Sequence, residues 1–248
     1  MKTIIDGLAV EYQDEGQGPA IVLLHGWMHS LASFDAITKL LSQRYRVVRV
    51  DLPGFGLSEP PPKPWYVGNY SELVAHLLKK LQLDPVALVG HSFGGRVIMK
   101  GLGDGTLKTQ KIVLIDTAGN ARRNTPRLRF YKAIAKTGKA FATLAPRSLY
   151  AAMRRRLYRR AGSDYLEAGA LSQTFLNTIS EDLTESARKI NIPAFLIWGE
   201  HDTTTPLEDG KRLASEISGS RFEVLPGAGH APHLEQPEKV AQLISEFV

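Results

Sequence analysis

Ser92 stands in Gly90-His91-Ser92-Phe93-Gly94, a G-x-S-x-G pentapeptide between the apolar run "VALV" and the helical pattern "RVIMKGL". A serine hydroxyl is a weak nucleophile until an oriented base takes its proton. Two other residues are of the right types to supply and orient that base, His230 in "LPGAGHAPHLEQPE" and Asp202 in "LIWGEHDTTTP". Each follows a strand-like apolar run, and the order serine, acid, histidine suits such a set on an α/β sheet. The tetrahedral intermediate of acyl transfer also needs hydrogen-bond donors for its oxyanion. "HGWMHS", His25 to Ser30, offers the backbone N–H of Trp27, and the residue after the serine offers that of Phe93.

A sharp strand-to-helix turn at Ser92 would strain its backbone and lift its hydroxyl above the sheet. Small neighbours let strand and helix approach that closely, which gives the flanking glycines a steric reason. The helix start adds unpaired N–H groups and a positive dipole end. Other polar residues have plainer readings. Asp51 in "VDLPGFG" ties its turn together, His25 bonds loop backbone, His91 packs under the serine turn and His76 lies on a helix surface. His233 is a second histidine near the last strand, but "GAGH" places His230 better. His29 is a candidate for the substrate pocket. No histidine pair has a third partner at metal-ligand spacing.

The elements that must position these groups follow from the pattern. Asp6-Gly7 is a strong hairpin dipeptide between two short strands. Apolar runs then alternate with amphipathic helices, from "IVLLHG" and "SFDAITKLLSQR" to "RFEVLPGAGH" and "PEKVAQLISEF". Near-continuous Val/Ile/Leu runs between helices predict a mostly parallel central sheet covered on both faces, an α/β architecture. In the second unit the helix is expected over "SELVAHLLKKLQL". After "KIVLIDTAG" the alternation stops, and only helical patterns are legible from about Asn120 to Arg188. The expected organisation is therefore a core of residues 1–119 and 190–248 with a helical cap, 120–189, inserted over the strand ends. Leu149 and Met153 lie on an apolar stripe of that insertion and are candidates for the substrate pocket.

The 248 residues contain no cysteine, which removes disulfides and thiol chemistry together. The longest apolar runs are strand-sized, short of a membrane span. The first ten residues lack the apolar stretch of a secretory signal, so a cytoplasmic location is expected. The net charge of +6 is unevenly spread: 13 of the 31 Lys/Arg fall between Asn120 and Ser163, a stretch without a single acid, which leaves 18 basic against 25 acidic residues elsewhere. A run such as Arg154, Arg155, Arg156, Arg159 and Arg160 is read first as a solvated helix face. Peripheral membrane contact is a lesser reading of it, and nucleic acid is not an expected partner.

"LLHGW", "VDLPGFGLS", "VGHSFGG", "LIWGEHD" and "PGAGHAPHLEQPE" together resemble the α/β-hydrolase superfamily, in order and over almost the whole core. The resemblance implies the α/β-hydrolase fold, with Ser92 as nucleophile, His230 as general base and Asp202 as its orienting acid. Trp27 and Phe93 would form the oxyanion hole, and neither cofactor nor metal is implied. Some relatives place their acid at the position of Asp116, the rival to Asp202. Haloalkane dehalogenases and epoxide hydrolases share parts of the pattern but carry an aspartate nucleophile, which Ser92 argues against. Capped, cofactor-free carboxylesterases are the nearest match, with short to medium acyl chains expected and a small ester as the binding partner. Lactones, thioesters, amides and C–C bonds are alternative substrates for the same constellation, and a small-molecule sensor on this scaffold is the reading from another class. The oligomeric state is not legible in the sequence.

Overall fold

Runs of valine, isoleucine and leucine become strands where both faces of the chain are covered. The computed structural model describes residues 1–117, 119 and 168–248. Its strands are β1 (Lys2–Ile5), β2 (Leu8–Glu15), β3 (Ala20–Leu24), β4 (Arg46–Val50), β5 (Ala87–His91), β6 (Lys111–Ile115), β7 (Ala194–Gly199) and β8 (Arg221–Leu225). They form one eight-stranded sheet in the order β1-β2-β4-β3-β5-β6-β7-β8. β2 pairs antiparallel with β1 and β4, and the pairs from β4 through β8 are parallel. The expected hairpin turn is present, with φ of 50° at Asp6 and 82° at Gly7. That handedness matches the twist of the flanking strands.

The helices are α1 (Asp35–Leu41), α2 (Val67–Lys80), α3 (Phe93–Gly103), α4 (Ser172–Ser180), α5 (Thr184–Arg188), α6 (Leu207–Glu216), α7 (Pro232–Glu235) and α8 (Pro237–Phe247). Proline opens both α7 and α8, where its missing N–H leaves no bond unmade. α2 begins four residues before the predicted "SELVAHLLKKLQL". The Asn69 side chain accepts from Tyr66 N at 3.0 Å, and Glu181 accepts from Val67 N at 2.8 Å, so two of the free donors of the extra turn are satisfied.

Alternate residues along each strand point to opposite faces, and the core divides accordingly. Val22, Leu24, Leu88, Leu114 and Leu196 pack with α2, α3 and α5 on one face. Ile21, Leu23, Val89, Ile115 and Ile197 pack with α1 and α8 on the other. The central strands β3, β5, β6 and β7 are thus buried on both sides, as their apolar sequences require, while the edge strand β8 is only partly covered.

Between β6 and β7 the described chain adds helices and no strand. It leaves at Gly119 and is back at Leu183, whose N–H donates to the Gly119 carbonyl at 2.8 Å. The returning segment is tied to the core by Arg96 of α3, which donates to the carbonyls of Thr178 and Glu181, each at 2.6 Å. Leu149, Met153, the Arg154 to Arg160 cluster and the helices expected before Ala168 lie outside the described residues. No helix among the described residues is long and apolar enough to cross a membrane.

Candidate active site

Ser92 closes β5 and caps the start of α3 with φ 47° and ψ −105°, a conformation that L-residues rarely adopt. The packing explains why the chain tolerates it. A Cβ at Gly90 would lie 2.5 Å from Gly95 N, and one at Gly94 would lie 2.0 Å from the Leu24 carbonyl oxygen. Helix and strand approach so closely only because both positions lack a side chain.

His230 lies between β8 and α7, and Asp202 follows β7. All three side chains therefore gather at the carboxyl ends of parallel strands, where an open α/β sheet presents its crevice. His230 Nε2 is 3.1 Å from Ser92 Oγ. The other ring nitrogen, Nδ1, is 2.7 Å from Asp202 Oδ2. Since a carboxylate accepts, Nδ1 carries the proton and Nε2 is left as an acceptor facing the hydroxyl.

Asp202 is buried, which works against its charge, but hydrogen bonds from His230 and Thr205 outweigh burial and hold its carboxyl below the usual range. Thr205 Oγ1 donates to Oδ2 at 2.5 Å, while Thr204 N and Thr205 N donate to Oδ1 at 2.7 and 2.9 Å. The carboxylate is therefore fixed in orientation by its own turn before it meets the imidazole.

The His230 loop is also braced. Glu235 accepts from Gly229 N at 2.7 Å and from Ala231 N at 3.1 Å, clasping the backbone on either side of the histidine. His91 Nε2 donates to the His230 carbonyl at 2.7 Å. Sequence reasoning assigned no role to Thr205 or Glu235. Thr205, three residues after Asp202, has the spacing of a side-chain turn motif, whereas nothing local reveals the Glu235 clasp.

The other candidates fall as follows. His25 Nδ1 donates to the Gly26 carbonyl at 2.7 Å and Nε2 accepts from Leu52 N at 3.0 Å, so it braces loop backbone as expected. Asp51 accepts from Leu31 N at 2.7 Å and Leu57 N at 2.8 Å, again tying its turn. His76 pairs with Asp6 on the surface, bridging α2 to the hairpin. His233 is buried against the rings of His91 and Phe34 rather than at the serine. The ring of His29 meets that of His91 edge-on at 5.5 Å. Trp27 packs against Phe55, Phe93 and Phe175 with ring centroids 4.8 to 5.2 Å apart. An aromatic cluster thus abuts the N-terminus of α3.

Asp116 is not clear of this assembly. Its backbone has φ 43°, its side chain is buried, and its carboxyl oxygens lie in one cluster with Asp202 and His230, ligating atoms all within 4.8 Å.

A sequence profile described as the alpha/beta hydrolase family matches residues 21–243. The uncharacterized hydrolase YugF of Bacillus subtilis (strain 168) is 29% identical over 98% of this chain and 96% of its own length. The pimeloyl-[acyl-carrier protein] methyl ester esterase of Nitrosospira multiformis is 27% identical over 94% of this chain and 95% of its own. Among solved structures, a thermophilic esterase from Thermogutta terrifontis superposes with a TM-score of 0.76 at 24% identity, covering 99% of this chain and 97% of that one. The chain belongs to the alpha/beta hydrolase family.

Proposed function

We propose that this alpha/beta hydrolase is a serine esterase that cleaves carboxylic esters through an acyl-enzyme. The observation that carries the reading is the unbroken line from Asp202 through His230 to Ser92, with contacts of 2.7 and 3.1 Å. In this reading Ser92 Oγ attacks the ester carbonyl as its proton passes to His230 Nε2. Asp202 holds the ring and stabilises the imidazolium that forms. The backbone N–H groups of Trp27 and Phe93 receive the oxyanion, and each such donor is worth about 3 kcal/mol. His230 then returns the proton to the leaving alcohol, and water repeats the attack on the acyl group.

The aromatic cluster of Trp27, Phe55, Phe93 and Phe175 supports an apolar acyl site. Phe175 comes from the segment between β6 and β7, in keeping with a cap over residues 120–189 that limits the acyl group to short or medium length. His29, Leu149 and Met153 are proposed as further pocket residues. The relative that acts on a methyl ester, by its name, agrees with ester cleavage.

A chain-length series of p-nitrophenyl esters with wild type and Ser92→Ala tests the reading. Steady turnover by the wild type, strongest on short to medium chains and lost in the variant, is expected. Turnover that survives removal of the hydroxyl overturns the nucleophile. Stoichiometric ligand trapping without turnover favours a sensor, and faster cleavage of lactones or thioesters than of matched esters moves the substrate class.

A further inference from the structure

One buried titratable group beside the site takes no part in the chemistry proposed for Ser92, His230 and Asp202. Asp116 directly follows β6, with Oδ1 accepting from Gly199 N at 2.9 Å. The other oxygen, Oδ2, is buried and receives no hydrogen bond. A carboxylate with a bare buried oxygen is an expensive arrangement, whereas a carboxylic acid has a proton to place there. The charged groups that face it are the carboxylates of Asp202, after β7, and Glu235, in α7, with the His230 ring in the same cluster.

We propose that Asp116 is a positioning residue, the neutral member of a carboxyl pair that donates its proton to Asp202, with one oxygen of each carboxyl and one ring nitrogen of His230 all within 4.8 Å of one another. This builds on the reading of Ser92 and His230 as the reacting pair. Burial first, then the neighbouring Asp202 and Glu235, push the Asp116 carboxyl up to about 9, even against the hydrogen bond from Gly199. Two like charges this close do not both ionise readily, and the shared proton leaves the pair with one charge. That single charge is the useful one. It orients the imidazole, while a doubly charged pair would favour the imidazolium and hold the base in its protonated form. The two aspartates therefore divide the work. Asp202 carries the charge, and Asp116 holds Asp202 in place and keeps the local charge at one.

The discriminating variant is Asp116→Asn, which keeps a donor toward Asp202 and an acceptor for Gly199 N but has no proton to lose. Asp116→Ala removes both. Each is compared with wild type in the full chain by three measurements. Infrared spectra at neutral pH are expected to show a protonated-carboxyl band in wild type that is missing from Asp116→Asn. Melting temperatures are expected to show Asp116→Asn gaining on wild type as pH rises from 5 to 9. The sign follows from linkage: between its unfolded and folded values the native state holds a proton that the unfolded chain has released, so wild-type stability falls with pH. Phosphonylation of Ser92 by a p-nitrophenyl phosphonate is expected to stay within about threefold of wild type in Asp116→Asn and to fall about tenfold or more in Asp116→Ala. Above pH 9 the wild-type rate should depart from that of Asp116→Asn, as the second charge appears. A residue that only fills space would lower both melting temperatures by amounts independent of pH and leave no infrared signature. An unchanged carboxyl band in Asp116→Asn, or a variant gap that does not move with pH, overturns the inference. If Ser92 is not labelled even in wild type, the esterase reading fails while the infrared and melting results still decide this one.

Discussion

The ring of His91 donates through Nε2 to the main-chain carbonyl of His230 at 2.7 Å. The residue just before the proposed nucleophile thus grips the residue that would activate it, across 139 positions of sequence. The serine turn and the histidine loop are one mechanical unit, set by a bond that involves neither reacting atom. His91→Ala is expected to lower kcat about tenfold, the scale of one buried hydrogen bond, with KM little changed. Steady-state kinetics on a p-nitrophenyl ester, alongside a melting curve to confirm folding, check this.

The turn that holds Asp202 can be weakened one bond at a time. Thr205→Val deletes the 2.5 Å hydroxyl bond to Oδ2 but leaves the two backbone donors. With one stabilising bond gone, the carboxyl should titrate at higher pH, and activity should begin to fall at a higher pH on the acid side. Asp202→Asn should be far more damaging, by about three to four orders of magnitude at neutral pH, because an amide cannot enforce the same tautomer. Rates measured from pH 4 to 8 separate the two.

Backbone strain at Ser92 can be released without restoring chemistry. Ser92→Gly and Ser92→Ala both lack the hydroxyl and should both be inactive. At φ 47° and ψ −105° a glycine is at ease and an alanine is not. Ser92→Gly should therefore be the more stable of the two by about 1 kcal/mol. A urea midpoint for Ser92→Gly below that of Ser92→Ala would count against strain at this turn.

Acid should unfold this protein through its buried histidines. Burial pushes His25 down to about 4 and His233 down to about 3, and pushes His91 well below the ordinary histidine range. Below about pH 6.5 the unfolded chain takes up protons that these folded histidines refuse, so stability is lost as pH falls. At pH 5 this amounts to roughly 2 kcal/mol each for His25 and His233. His233 has both ring nitrogens buried without a partner, so His233→Leu should flatten the acid side of a plot of melting temperature against pH by about one histidine's share.

Much of the architecture was legible because it is written locally. Apolar runs of strand length and the Asp6-Gly7 turn identify themselves, and the positions of Ser92, Asp202 and His230 follow from their places after those runs. The supports of the site are another matter. The Glu235 clasp depends on the loop conformation, the His91 grip joins distant segments, and the early start of α2 depends on Glu181 arriving from 114 residues away. The character of Asp116 is hidden for a different reason. A sequence shows an aspartate, but its ionisation is set by what surrounds it, and burial beside Asp202 exists only in the folded chain.

The hydrogen bond from Leu183 N to the Gly119 carbonyl has a consequence for how this protein can change. The two ends of the insertion meet beside the sheet at this bond, and the entropic penalty of lengthening a closed loop grows only logarithmically. The strands on either side, β6 and β7, pair with each other directly from Ile112 to Ile115, so their register does not depend on what lies between them. In the proposed esterase, preference for one ester over another can change in that insertion while the sheet that positions Ser92 and His230 stays as it is.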